Sequence, residues 1–175
     1  MSAPENAEGN ICVGCGLCCD GTLHGTATVQ LHDEANVTAA GLEIATEGKK
    51  RFFRQPCPNF SCGSCTVYAI RPEVCRTYRC ALLINLEAGR ISEADAREKV
   101  ATAKKLLGTV RSISPGAVTP AQRTALTKRL KAELAEAKDD DRESIAKALL
   151  DTAVLEHFLN RWFFEDKDEE GRTGA

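Results

Sequence analysis

The sequence predicts an α+β fold, mostly α, in which an irregular, cysteine-rich, metal-binding N-terminal half with short strands packs against a C-terminal helical bundle or hairpin. Three observations carry this expectation. All nine cysteines of the 175-residue chain fall between Cys12 and Cys80. Glycine, proline and cysteine cut that stretch into pieces too short for long regular elements. From Ala81 onward the apolar residues instead recur at helical spacing. The length suits one domain. Residues 12–164 are read as that domain, with a cysteine-cluster region at 12–90 and a helical region at 91–164, between flexible termini at 1–11 and 165–175.

Each element has its own local signal. Residues 1–10 are small, polar and acidic, without the basic start and apolar run of a secretory leader, so the cytoplasm is the expected compartment. Thr28 to Leu31 and Arg51 to Gln55 have strand character, and Asp33 to Ala40 reads as a short helix capped by Asp33. Ala81 to Glu87 reads as a helix stopped at Ala88 and Gly89, because glycine tolerates the left-handed conformation past a helix end. Ser92 suits the cap of the next helix, with Glu93 and Asp95 in its first turn, and Val100, Ala103, Leu107 and Val110 form one apolar face. Ser114, Pro115 and Gly116 interrupt the pattern. Thr119 before Pro120 suits a cap followed by proline at the first helical position, and Leu126, Leu130 and Leu134 repeat every fourth residue. The acids Asp139 to Asp141 end that helix and start the last one, whose apolar face is Ile145, Leu149, Leu155, Phe158, Leu159 and Trp162. Two antiparallel helices with a tight connection are the simplest result.

Composition excludes several classes. Hydrophobic residues at 43% and charged residues at 27% describe an ordinary soluble protein, and no apolar run approaches the roughly 20 residues that span a bilayer. Lys plus Arg is 23 against 25 Asp plus Glu; residues 1–90 carry 8 and 9, residues 91–175 carry 15 and 16. No half is charged enough to hold an oppositely charged polymer. The only compact basic run, Lys49, Lys50, Arg51 and Arg54 around Phe52 and Phe53, reads as a strand with inward aromatics, so nucleic acid is not an expected partner. No Ser/His/Asp set, phosphate loop or carboxylate pair stands out, and no catalytic residue is nominated.

The cysteines form two clusters. Cys12, Cys15, Cys18 and Cys19 make CxxCxxCC, four thiols in eight residues, with Gly14 and Gly16 supplying the backbone freedom that thiolates need to surround one ion. The second runs from Pro56 and Cys57 through Cys62, Cys65 and Cys75 to Cys80, after an intervening 37 residues that are long enough to fold back. Metal sites are commonly completed by ligands remote in sequence. Disulfides are the competing reading, but the absent leader, the odd count and the long helical segment argue against a disulfide scaffold.

CxxCxxCC at Cys12–Cys19, followed by Pro56-Cys57, Cys65-Thr66-Val67-Tyr68, Arg71-Pro72, Cys75-Arg76 and Cys80, resembles the YkgJ-type cysteine-cluster family, a group described as zinc- or iron-chelating. The resemblance covers residues 12 to about 80. It implies a cytosolic metal or iron–sulfur centre held by Cys12, Cys15, Cys18, Cys19, Cys57, Cys65, Cys75 and Cys80. Cys62 departs from the pattern, either as an extra thiol or as a CxxC with Cys65 that pairs with Cys15 and Cys18 in the manner of a zinc ribbon.

The cofactor reads as an iron–sulfur cluster or zinc. Eight cysteines would make two tetrahedral zinc sites; Cys12, Cys15 and Cys18 with Cys57 loosely fit the three-plus-one pattern of a cluster, towards which the first motif leans. Arg71 and Arg76 lie between second-cluster cysteines and would balance thiolate charge, as outer groups around metal sites do; Arg79 reads as solvated. His24 is an alternative ligand, His32 and His157 are surface or interface residues, and Tyr68 and Tyr78 are packing residues. The leading reading is a metal-binding protein for sensing, storage, transfer or electron exchange. A redox or modification enzyme using the centre, and a structural zinc module docking to a protein partner, are the alternatives.

Overall fold

The computed structural model describes residues 11–164. Of the expected flexible termini, 165–175 and all but Ile11 of 1–11 lie outside the described residues; Ile11 is buried. The fold is α+β and mostly α, as the sequence predicts. Its described residues form two compact units, one of residues up to Tyr78 together with Val118–Gln122, the other of Arg79–Ala117 with the chain from Arg123 on.

In the first unit, β1 (Thr26–Thr28), β2 (Ala45–Glu47) and β3 (Lys50–Arg54) form an antiparallel sheet with β3 in the middle. Ala27 faces Phe53 and Ala45 faces Phe52 across the ladders. The β2–β3 connection is two residues long and starts with Gly48 at φ +58°, the glycine-first pattern that suits strand twist in tight hairpins. Phe53 points into the core with 1% exposure while Lys50 and Arg54 stay in water. Full burial of such a ring contributes about 1.5–3 kcal/mol. Val29, Val37, Ala40, Leu42 and Phe53 make the core, and Cys57 and Cys75 pack half-buried against it. The strand expected at Thr28 to Leu31 starts two residues earlier, because its partner β3 sets the register; Leu31–Asp33 is instead a 3-10 turn.

α1 (Glu34–Ala39) follows directly and supplies Val37. Asp33 precedes it, as expected of a cap, yet its carboxylate makes no capping bond to α1. β4 (Phe60–Ser61) and β5 (Ser64–Cys65) form a second hairpin. Its two turn residues, Cys62 at φ +49° and Gly63 at φ +79°, have the positive pair required by the commonest tight hairpin turn. α2 (Glu73–Thr77) carries Cys75. At the far end of the sequence, Thr119 and Gln122 cap each other: the Thr119 N–H and hydroxyl donate to Gln122 Oε1 at 2.8 and 3.0 Å, and the Gln122 N–H donates to Thr119 Oγ1 at 3.4 Å.

The second unit holds α3 (Ala81–Glu87), α4 (Glu93–Ile113), α6 (Asp139–Phe163) and nearly all of α5 (Pro120–Glu136). α3 ends where expected, with Gly89 at φ +67°. Ser92 Oγ accepts the Asp95 N–H at 3.1 Å and caps α4. α4 packs along α6, and α3 against both. Ala96, Val100, Ala103, Leu107 and Val110 form the buried face of α4, the predicted four plus Ala96. On α6 the buried residues are Thr152, Leu155, Leu159 and Phe163; the expected Ile145, Leu149, Phe158 and Trp162 are only half-buried. Leu126 and Leu130 are buried on α5, while Leu134 is half-buried. Arg123 is buried to 1% exposure and its guanidinium donates to Glu156 on α6, the pairing that a buried charge requires.

Candidate metal centre

The CxxCxxCC segment folds as successive tight turns around one apolar side chain. The Cys15 N–H donates to Cys12 O at 3.2 Å, the Asp20 N–H to Gly16 O at 2.9 Å and the Leu23 N–H to Leu17 O at 3.0 Å, with Leu17 fully buried inside. Gly16 has φ +70°, and the Phe60 ring lies where its Cβ would be: Cζ would stand 2.1 Å away. Only glycine admits both the conformation and that ring. Phe60 therefore lays the β4–β5 hairpin on the first motif.

The two clusters then meet. The Cys57 N–H donates to Cys19 O at 2.7 Å, and the Phe60 N–H to Cys57 O at 3.0 Å. Cys65 pairs with Phe60 in the β4–β5 ladder. Asn59 Nδ2 donates to Ala40 O at 2.7 Å and ties this hairpin to the core unit. Cys75 lies in the first turn of α2, where its N–H donates to Pro72 O at 3.0 Å.

Electrostatics identify the neighbours. Burial pushes the Cys19 thiol up to about 12, and the charges of Cys75, Cys57, Cys65 and Asp20 add to the effect. Burial likewise lifts Cys75 to about 11, helped by Cys57 and Cys65 and by Asp33, and opposed by the Arg71 guanidinium. Cys57 is raised by burial and by Cys65, against the pull of the Asn59 and Phe60 backbone N–H groups. Cys19, Cys57, Cys65 and Cys75 thus crowd one region, where ionised thiols repel until a cation joins them. This donor set is the chemistry of thiolate zinc and iron sites, so the residues fit either metal. Among the described residues no three Cys, His, Asp or Glu side chains already stand around a common point. No disulfide joins any of the nine cysteines.

The remaining cysteines are placed differently. Cys12 is exposed, and Cys15 and Cys18 are half-buried on the turns of the first motif; the first-motif neighbour of Cys57 is Cys19. Cys62 sits exposed at the hairpin tip. Cys80 opens α3, where burial raises its thiol against the N–H groups of Leu83 and Leu82, with the Glu87 carboxylate adding to the rise.

A model of one protein family matches residues 11–104, more than half of the chain and all nine cysteines. The chain belongs to the CxxCxxCC family, described as a putative zinc- or iron-chelating domain. No curated protein and no solved structure matches the chain. Metal chelation is the general activity this membership supports, and no helix among the described residues is long and apolar enough to cross a membrane.

The other nominated residues differ in their placement. Arg71 lies 3.8 Å above the Tyr68 ring, a stacking contact that holds the guanidinium in place, and its charge reaches Cys75. Arg76 is exposed on α2, and Arg79 pairs with Glu87 at 3.2 Å. His24 Nε2 shares a hydrogen bond of 2.7 Å with the Tyr78 hydroxyl, with the rings edge to face; burial lowers its pKa. His32 bonds Glu73 at 2.5 Å on the surface, and His157 is exposed on α6. Asp33, Asn59 and Phe60 support the centre without having been nominated. Gly16 was expected to supply backbone freedom, and nothing in the sequence named Phe60 as its close neighbour.

Proposed function

We propose that the protein is a cytoplasmic chelator that holds zinc or an iron–sulfur cluster through the thiolates of Cys19, Cys57, Cys65 and Cys75, with Cys12, Cys15, Cys18 and Cys80 as further ligands. The observation that carries this reading is the 2.7 Å bond from the Cys57 N–H to Cys19 O, which joins cysteine segments far apart in sequence. A zinc ion with four thiolates and an oxidised four-iron, four-sulfide cluster with four thiolates have the same net charge, so the same surroundings suit both. Arg71, held by Tyr68, offsets part of that charge.

A complete set of four protein ligands leaves no open coordination position, the arrangement of a structural or electron-carrying centre rather than of a hydrolytic metal. Cys57 and Cys75 also pack on the Val37–Phe53 core, so metal binding and the stability of that core are linked. Leu155 and Leu159 of the last helix are buried, while Leu150 and Val154 on the same helix are exposed.

Elemental analysis and optical spectra of anaerobically purified protein test the reading. Brown protein containing iron and sulfide identifies the cluster, and colourless protein with stoichiometric zinc identifies the zinc site. Protein holding neither metal overturns the proposal.

A further inference from the structure

We infer that Asp33 is the positioning residue of the four-thiol centre: its buried carboxylate, acting through the Glu73 amide, fixes the turn that presents Cys75. The inference rests on the metal-binding reading above.

Asp33 is only 2% exposed, and a carboxylate so placed is costly unless hydrogen-bonded. Oδ1 accepts from Asn36 Nδ2 at 2.7 Å, and Oδ2 accepts from the Glu73 backbone N–H at 2.6 Å. Both donors are neutral. Glu73 is the first residue of α2, a helix whose N-cap, Pro72, has no side chain able to satisfy the free N–H groups. Asp33 supplies that cap from 40 residues earlier in the chain. Two residues beyond Glu73 stands Cys75, itself bonded back to Pro72 O, so whatever fixes the start of α2 fixes the direction of this thiol. The Asp33 carboxylate also adds to the rise of the Cys75 thiol.

Asp33 is in turn anchored to the fold. Its N–H donates to Gln30 O at 3.0 Å, and it leads directly into α1, whose Val37 is fully buried. The carboxylate therefore transmits the rigidity of the core to a ligand on a helix too short to hold itself in place.

Full-length metal-free protein titrated with Co2+ alone provides the test, because the visible bands of Co2+ report how many thiolates surround it. Asp33→Ala should weaken Co2+ binding by about 10–100-fold and reduce the thiolate character of the spectrum, the usual scale for loss of an outer support. Asp33→Asn, which keeps an acceptor oxygen for Glu73, should bind close to wild type. Glu73→Pro deletes the donor while leaving Asp33 in place; proline is tolerated at the first helical position, so this variant should reproduce the Asp33→Ala loss even where Asp33→Ala fails to fold. A merely structural role is excluded by a double-mutant cycle: in a Cys75→Ser background, Asp33→Ala should add nothing. Wild-type affinity in both Asp33→Ala and Glu73→Pro, a full loss in Asp33→Asn, or an additive effect with Cys75→Ser would overturn the role of Asp33 alone. Failure of the wild-type chain to bind Co2+ through thiolates would instead defeat the metal-binding reading.

Discussion

Metal loading at the four-thiol centre should release at least three protons per ion at pH 7. Only the thiolate binds metal, and burial holds the Cys19, Cys57 and Cys75 thiols above the ordinary cysteine value. With Cys75 near 11 and Cys19 near 12, the ionised fractions at pH 7 are about 10⁻⁴ and 10⁻⁵. Cys57 is raised as well. His24 stands outside the proposed ligand set, its ring bonded to the Tyr78 hydroxyl. Three displaced protons make the apparent affinity climb by about three powers of ten for each unit of pH between 6 and 8. The assay is calorimetric titration of Zn2+ into metal-free full chain in two buffers of different ionisation heat, repeated across that range. Replacing Cys75 with Ser should lower the count by one. Release of one proton or fewer, or affinity that barely moves with pH, would refute the proposed ligand set.

Three further outcomes are expected. Cys57→Ser should abolish the metal of the four-thiol centre while Cys15→Ser leaves it bound, read by elemental analysis; equal loss in both would mean that the two thiols share one ion. Gly16→Ala should cost about 1–3 kcal/mol from the Phe60 clash and the left-handed backbone together, and Gly14→Ala, with no neighbour within 4 Å, only about 1 kcal/mol. Urea unfolding separates the two. The folded chain holds the Cys19 and Cys75 protons more tightly than the unfolded chain does, so the stability they contribute in metal-free protein is fully present below pH 9. It is lost as pH rises towards 11–12. Denaturation at pH 8 and pH 10 should show the fall, and metal-loaded protein, whose thiols are already ionised, should not.

The helices were readable because their signals are local. Ser92 with Asp95, Thr119 with Gln122, and Gly89 each act within a few residues, and the spacing of Val100, Ala103, Leu107 and Val110 needs no knowledge of the partner helix. The sheet was less readable, since the limits of β1 are set by pairing with β3, a segment that the local run from Thr28 to Leu31 does not encode. The meeting of two cysteine clusters was a chemical expectation, but their partition was not legible: Cys18 and Cys19 are adjacent, and what distinguishes Cys19 is a bond to Cys57 made through the fold. Asp33 looked like a cap for the helix that follows it. Its oxygen is instead taken by Glu73, because Pro72 leaves that helix start without a side-chain acceptor. His24, five residues past Cys19, has the spacing of a ligand, yet its ring bonds the Tyr78 hydroxyl.

Cys62 occupies the tip of a hairpin in a backbone conformation that asparagine adopts more readily than most residues. It is exposed, as is Cys12, so during handling in air its thiol is open to cross-linking between molecules. Asparagine followed by glycine is the favoured pair for such a turn, and a Cys62→Asn chain would keep the hairpin that orients Cys65 while removing that liability. Cys62 is thus the natural place to alter the protein for preparative work.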